Sequence, residues 1–208
     1  YFWAYTNQHI IYMQDKGGDE NWRVYSVDLS NNEEKDLTPF EKVAAQIKEV
    51  SHKFPDEILI GLNNRDAKFH DLHRVNIRTG QMTLLAQNND GFTGFLSDDD
   101  YKVRFAMKMT PDGGSEILKP DDGGQWASFQ KIPMEDAMTT QPSGFDKTGK
   151  TLYLMDSRGR NTAALTTLDL ETKKQTVIGE DPKADISGLL VHPTEKNVQA
   201  YSSYYLRK

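Results

Sequence analysis

The chain has 208 residues, 37% of them apolar, with a formal net charge of −6 and a mean hydropathy of −0.70. An acidic balance argues against nucleic acid, because phosphate binding relies on an excess of Lys and Arg, and no apolar run approaches the length of a membrane span. Cysteine is absent, which removes disulfides and thiol chemistry and leaves the compartment of a soluble chain open between cytoplasm and periplasm.

Tyr1-Phe-Trp-Ala-Tyr5 opens in strand-like chemistry, without an initiator Met or a leader pattern, and Tyr204-Tyr-Leu-Arg-Lys208 closes as abruptly. The expectation is a piece of a longer protein. Apolar alternation predicts strands over Phe2–Thr6, His9–Gln14, Trp22–Leu29 and Glu33–Leu37 in a first unit, residues 1–38. Thr38-Pro-Phe-Glu41 then matches a capping box with proline at the first helical position, which predicts a short helical turn near Pro39–Ala44. A second unit (45–87) reads as Gln46–His52, Ile58–Asn63, Asp71–Ile77 and Gln81–Ala86. A third (91–133) reads as Phe92–Leu96, Lys102–Met109, Glu116–Lys119 and Trp126–Ile132. Its tight turns, Pro111-Asp-Gly-Gly114 and Asp121-Asp-Gly-Gly124, offer glycines for positive φ. The fourth (142–179) uses Ser143–Phe145, Thr151–Asp156, Ala163–Leu170 and Gln175–Ile178, and a fifth begins in 186–208 with Ile186–Val191 and Val198–Tyr205.

The units repeat. Windows 11–29, 59–77 and 152–170 align without a gap, and taking Ile58, Val103, Leu152 and Val198 as equivalent to Ile10 gives steps of 48, 45, 49 and 46. A period in the middle forties built from short strands signals propeller blades. The fold class is therefore all-β: a β-propeller fragment of four-stranded antiparallel blades, four full and part of a fifth. A segment that keeps the curvature of a larger ring exposes apolar sheet faces and an unpaired edge, so self-association of the fragment is expected.

The runs "VNIRTGQMTLLAQNNDGFTGFLSDDDYKVRFAMKMTPDGGSEIL" and "GFDKTGKTLYLMDSRGRNTAALTTLDLETKKQTVI" resemble the N-terminal β-propeller of bacterial prolyl oligopeptidase-family (S9) serine peptidases of the acylaminoacyl- or dipeptidyl-peptidase type. "ADISGLLVHPTEKNVQAYSSYYLRK" resembles the strands that follow there. The GK-x-L-Y and L-D-L-x-T element is shared with TolB-type, WD40-like propellers. The resemblance implies an α/β-hydrolase domain with a Ser-Asp-His triad outside this chain, peptide substrates, and a propeller that gates and docks them. A TolB-like module for protein–protein interaction is the alternative. Neither reading implies a cofactor.

Within the chain no catalytic residue is expected, because the nucleophile elbow G-x-S-x-G is absent; the nearest approach, at Ser115, lacks the final glycine and falls in a hairpin turn. His70 and His73 point to opposite faces of a strand and cannot chelate together, and His9, His52 and His192 have no metal-motif spacing, so the five are read as surface or turn residues. A channel-metal enzyme would need a ring of inward ligands that the repeats do not offer. Asp98-Asp99-Asp100 reads as an acidic turn rather than a calcium loop. Trp22, Trp126 and Phe2-Trp3-Tyr5 are expected to fill the wedges between sheets. Arg158 and Arg160 are the possible substrate contacts, as grips for a carboxylate. Against that, Arg158 aligns with Arg65 and Asp156 with Asn63, and repetition favours a place in hairpin turns.

Overall fold

The computed structural model describes residues 1–206; Arg207 and Lys208, the end of the fifth unit, lie outside the described residues. Strands β1 (Phe2–Trp3), β2 (His9–Gln14), β3 (Arg23–Asp28) and β4 (Glu33–Asp36) form the first sheet, in that order. The second contains β5 (Ala45–Val50), β6 (Glu57–Asp66), β7 (Phe69–Asn76) and β8 (Met82–Ala86). The third contains β9 (Gly94–Ser97), β10 (Val103–Met109), β11 (Ser115–Pro120) and β12 (Trp126–Ile132). The fourth contains β13 (Gln141–Phe145), β14 (Thr151–Asp156), β15 (Ala164–Asp169) and β16 (Gln175–Gly179). Strands β17 (Ile186–Val191) and β18 (Val198–Ser203) make a two-stranded fifth. The repeated four-stranded meander, each strand paired with its sequence neighbour, is the architecture of a propeller blade. The chain divides into two compact units between Ala106 and Met107, within β10.

Pairing fixes the repeat. Trp3↔Ile10, Val50↔Ile58, Phe145↔Leu152 and Val191↔Val198 are equivalent pairs, which places Ile58, Leu152 and Val198 on Ile10 as the period predicts. The gap-free third window is displaced by one residue in its first strand. Thr151 faces Asp169 across a shorter hairpin than those joining His9 to Asp28 and Glu57 to Asn76, so Asp156 is equivalent to Leu62 rather than Asn63. Outer strands β8, β12 and β16 each shift register by one residue, at Leu85, Phe129 and Ile178. A bulge there twists the free edge away from a second chain.

No helix forms near Pro39. The Thr38 hydroxyl, needed for the capping box, instead accepts the Val24 N–H at 2.9 Å, and the Thr38 N–H is held by Asp36 at 2.9 Å. Phe40 N–H then bonds the Thr38 carbonyl at 2.7 Å, which closes a turn too tight for an α-helix, and Lys42 follows at φ 57°. The one helical element among the described residues is a 3₁₀ turn at Met134–Asp136. The glycine turns form as expected, with Gly113 and Gly124 at φ 86° and 78°.

In the first unit the core between the first two sheets is aliphatic: Ile11, Val24, Ile58, Ile60 and Leu62 are buried, with Phe2 and Phe40 packed against them. The tryptophans do not fill that wedge. Trp3 is 59% and Trp22 45% exposed, while the neighbouring Phe2 takes the packed face of β1. In the second unit Met155, Leu165 and Ile186 join the fourth sheet to the fifth, with Leu189 and Val198 alongside.

Candidate functional site

The end of β14 carries the arginines singled out above. Arg158 donates from Nε and Nη2 to the two oxygens of Asp156 at 2.8 and 2.6 Å, and its own N–H closes the turn on Asp156 at 3.1 Å. With its amide oxygen turned toward the guanidinium, Gln130 accepts from the same arginine. Burial alone would raise the Asp156 carboxyl; hydrogen bonds from Arg158 and Gln175 outweigh it and hold the group at about 2. Arg158 is therefore a half-buried, paired side chain, not a freely exposed turn residue. Arg160 is different: its guanidinium meets the exposed Glu180, at 2.7 Å.

Next to this pair lies a polar bracket that no sequence motif announces. The Ser157 hydroxyl donates to Asp136 at 2.7 Å and lies 2.7 and 3.1 Å from the hydroxyls of Thr139 and Thr140. The Ser157 N–H donates to the Thr140 hydroxyl at 3.0 Å. The 3₁₀ turn presents Asp136, and the connection into β13 presents the threonines. Ser157 is buried and its hydroxyl is held by Asp136, Thr139 and Thr140, so the cluster pins a corner.

A cleft of about 540 Å³ opens beside the bracket, lined by β13 and the start of β17. Its polar groups are Thr139, Gln141, Ser143, Asp185 and Ser187, over an apolar floor that includes Met155. Ser143 and Ser187 are both bulge residues: Pro142↔Leu154 is followed by Gly144↔Tyr153, and Ile186↔Ser203 by Gly188↔Ser202. A bulge re-aims a side chain, here toward the cleft. The Ala163 N–H bonds Asp185 at 2.6 Å, and the Ile186 N–H bonds the Ala163 carbonyl at 2.9 Å, which fixes one wall on the other. Alternation could not reveal this cleft, because bulges break the period of two.

The remaining candidates are structural. In the first unit Arg65 bonds Asp71 at 2.7 and 2.8 Å and the Asn88 carbonyl at 2.8 Å. Asn63 braces the same hairpin through the Ala67 carbonyl at 3.1 Å. His9 and His73 are buried rather than at the surface, His9 against Thr6 at 3.0 Å, because each sits on the covered face of its strand. His192 organises its turn by accepting the Glu195 N–H at 3.0 Å. Asp98, Asp99 and Asp100 form the acidic turn between β9 and β10, with Arg104 2.7 Å from Asp98 and Lys53 2.7 Å from Asp100. Among the described residues no group of three His, Cys, Asp or Glu side chains is placed to hold a metal, and no helix is long and apolar enough to cross a membrane.

No protein-family model matches the chain. Over its whole length it is 46% identical to dipeptidyl aminopeptidase BIII of Pseudoxanthomonas mexicana, and it spans 30% of the length of the curated relatives it matches. TolB of Acinetobacter baumannii superposes with a TM-score of 0.55 at 15% identity, over 89% of this chain and 44% of that one. A prolyl endopeptidase gives 0.53 at 13% identity, over 97% of this chain and 35% of that one. These structural likenesses concern the fold.

Proposed function

We propose, from the premise that the chain is a β-propeller segment of the prolyl oligopeptidase-family, dipeptidyl-peptidase type, that it binds and screens peptides for a hydrolase part that lies outside it. The cleft between β13 and β17 carries this reading. It presents two bulge hydroxyls, an amide and a carboxylate above an apolar floor, the mixture that an extended peptide meets with its backbone and side chains. The elbow is absent and Ser157 is locked in a bracket, so the chain contributes binding and no bond-breaking chemistry. Arg160 supplies a carboxylate contact by exchanging Glu180 for the substrate, whereas Arg158, clamped on Asp156, positions the corner from which Arg160 projects.

In the protein that carries this chain together with a hydrolase part, Ser143→Leu and Ser187→Leu raise KM for peptide substrates and leave kcat unchanged, because uniform binding is lost. A fall in kcat at constant KM overturns the reading. The alternative, a TolB-like interaction module, draws on the exposed Leu190 and Tyr201 of the two-stranded sheet. It predicts that Leu190→Ser and Tyr201→Ser abolish a protein contact while peptide turnover stays unchanged.

A further inference from the structure

Lys48, in the first unit, is the residue that β5 bulges out: Ile47 pairs with Ile60 and Glu49 with Leu59, which leaves Lys48 without a partner in the ladder. It occupies the position that Ser143 occupies in the fourth sheet. Its side chain runs across Gly61, where an added Cβ would stand 3.0 Å from the Lys48 Cε and 3.4 Å from the Cβ of His70. Glycine at 61 thus leaves the space in which a lysine from β5 and a histidine from β7 come together. Lys48 is half-buried. No carboxylate lies within 4 Å of its amine among the described residues, whereas Lys53 and Lys147 each have such a partner. Asp71, beside His70, is already occupied by Arg65, and Glu49 follows Lys48 in its own strand.

His70 is oriented as a base. Its Nε2 lies 3.1 Å from the Ala44 carbonyl, which can only accept, so Nε2 carries the proton and Nδ1 holds the lone pair. Burial lowers the Lys48 ammonium below its usual range. Burial first, and then the charge of Lys48, lowers His70 as well. Both groups are thereby shifted toward their uncharged, nucleophilic or basic forms.

We propose that Lys48 is a site of N-acylation by small activated acyl donors, with His70 as the proton acceptor. The Nζ lone pair attacks the carbonyl carbon of an acyl phosphate or acyl thioester. The new C–N bond forms as the bond to the phosphate or thiolate breaks, and the proton shed by nitrogen passes to Nδ1 of His70. The product is a neutral amide, which suits a half-buried position better than an ammonium without a counter-ion.

The test is site-resolved mass spectrometry of the folded chain, treated across a pH series with limiting acetyl phosphate in one arm and an acetyl thioester of N-acetylcysteamine in the other. The expected result is that at neutral pH Lys48 is acetylated several-fold faster than the exposed Lys16 and Lys68, with its pH profile displaced to lower pH, in at least one arm; the faster arm identifies the donor. His70→Gln, whose amide can still donate to the Ala44 carbonyl, should bring Lys48 down toward the exposed lysines without changing their rates. Acetylation of Lys48 no faster than Lys16 and Lys68 in both arms, with a common pH profile, overturns the proposal. Unchanged Lys48 labelling in His70→Gln overturns the role of His70.

Discussion

Ala45, at the start of the second sheet, donates its N–H to the Trp22 carbonyl at 2.8 Å, and Ile186, at the start of the fifth, donates to Ala163 at 2.9 Å. The two bonds lie 141 residues apart in both donor and acceptor, so the same backbone link joins sheet to sheet in each unit. The side chains around it have diverged. Ala44 in one unit stands where Asp185 stands in the other, and Lys48 where Ser143 does in the fourth sheet. The corners differ too. Arg65 finds its acid on the third strand of its sheet, at Asp71, whereas Arg158 finds it on the second, at Asp156. The repeat conserves a scaffold of backbone bonds and apolar positions, and each corner then satisfies its arginine in its own way.

The largest expected effect lies in what the two regions share. Ile58→Ala in the first unit and Leu152→Ala in the second each remove a buried side chain at equivalent positions and should each cost about 2–5 kcal/mol in denaturant unfolding. A cost confined to one of them would break the equivalence of the sheets. The corners should separate next. Asp156→Ala strands the half-buried Arg158 and should cost about 3 kcal/mol, whereas Asp71→Ala leaves Arg65 close enough to water to be solvated and should cost roughly 1 kcal/mol. Equal losses at the two corners would contradict the difference drawn from their burial.

The pH dependence sharpens the same contrast. The Asp156 carboxyl is held at about 2 in the folded chain, below its ordinary 3.8, so its contribution is complete above the unfolded value and is lost as pH falls through the folded one. The shift corresponds to roughly 2 kcal/mol. Stability measured between about pH 5 and pH 2 should therefore fall more steeply in the parent chain than in Asp156→Asn. Parallel curves would place the carboxylate outside the network. The smallest effect belongs to Arg160→Ala, whose ion pair with Glu180 is exposed and should contribute less than about 1 kcal/mol.

Strand positions were legible because alternation and turn residues recur with a common period, and each predicted strand overlaps an observed one. The helical turn at Thr38 was misread because its cap competes with a sheet: a hydroxyl that completes a backbone bond to Val24 cannot also start a helix. The tryptophans misled for a related reason, since size alone does not say which face of a strand a side chain takes, and Trp3 lies on the open one. Of the site, Arg158 and Asp156 were visible as neighbours two apart, but their clamp with Gln130 and Gln175 joins strands far apart in sequence. The cleft was illegible because Ser143 and Ser187 owe their direction to bulges, which leave no mark on composition or period.

The proposed function requires a peptide to bind at the cleft between β13 and β17 in the second unit. Resonance mapping of the isotope-labelled chain during titration with short unlabelled peptides addresses that directly. The expected result is saturable shifts in Gln141–Phe145 and in Asp185, Ile186, Ser187 and Leu189, with Arg65, Asp71 and Asn88 unmoved and the peptide intact at the end. Shifts scattered over both units without saturation, or centred on the Arg65 corner, would contradict it.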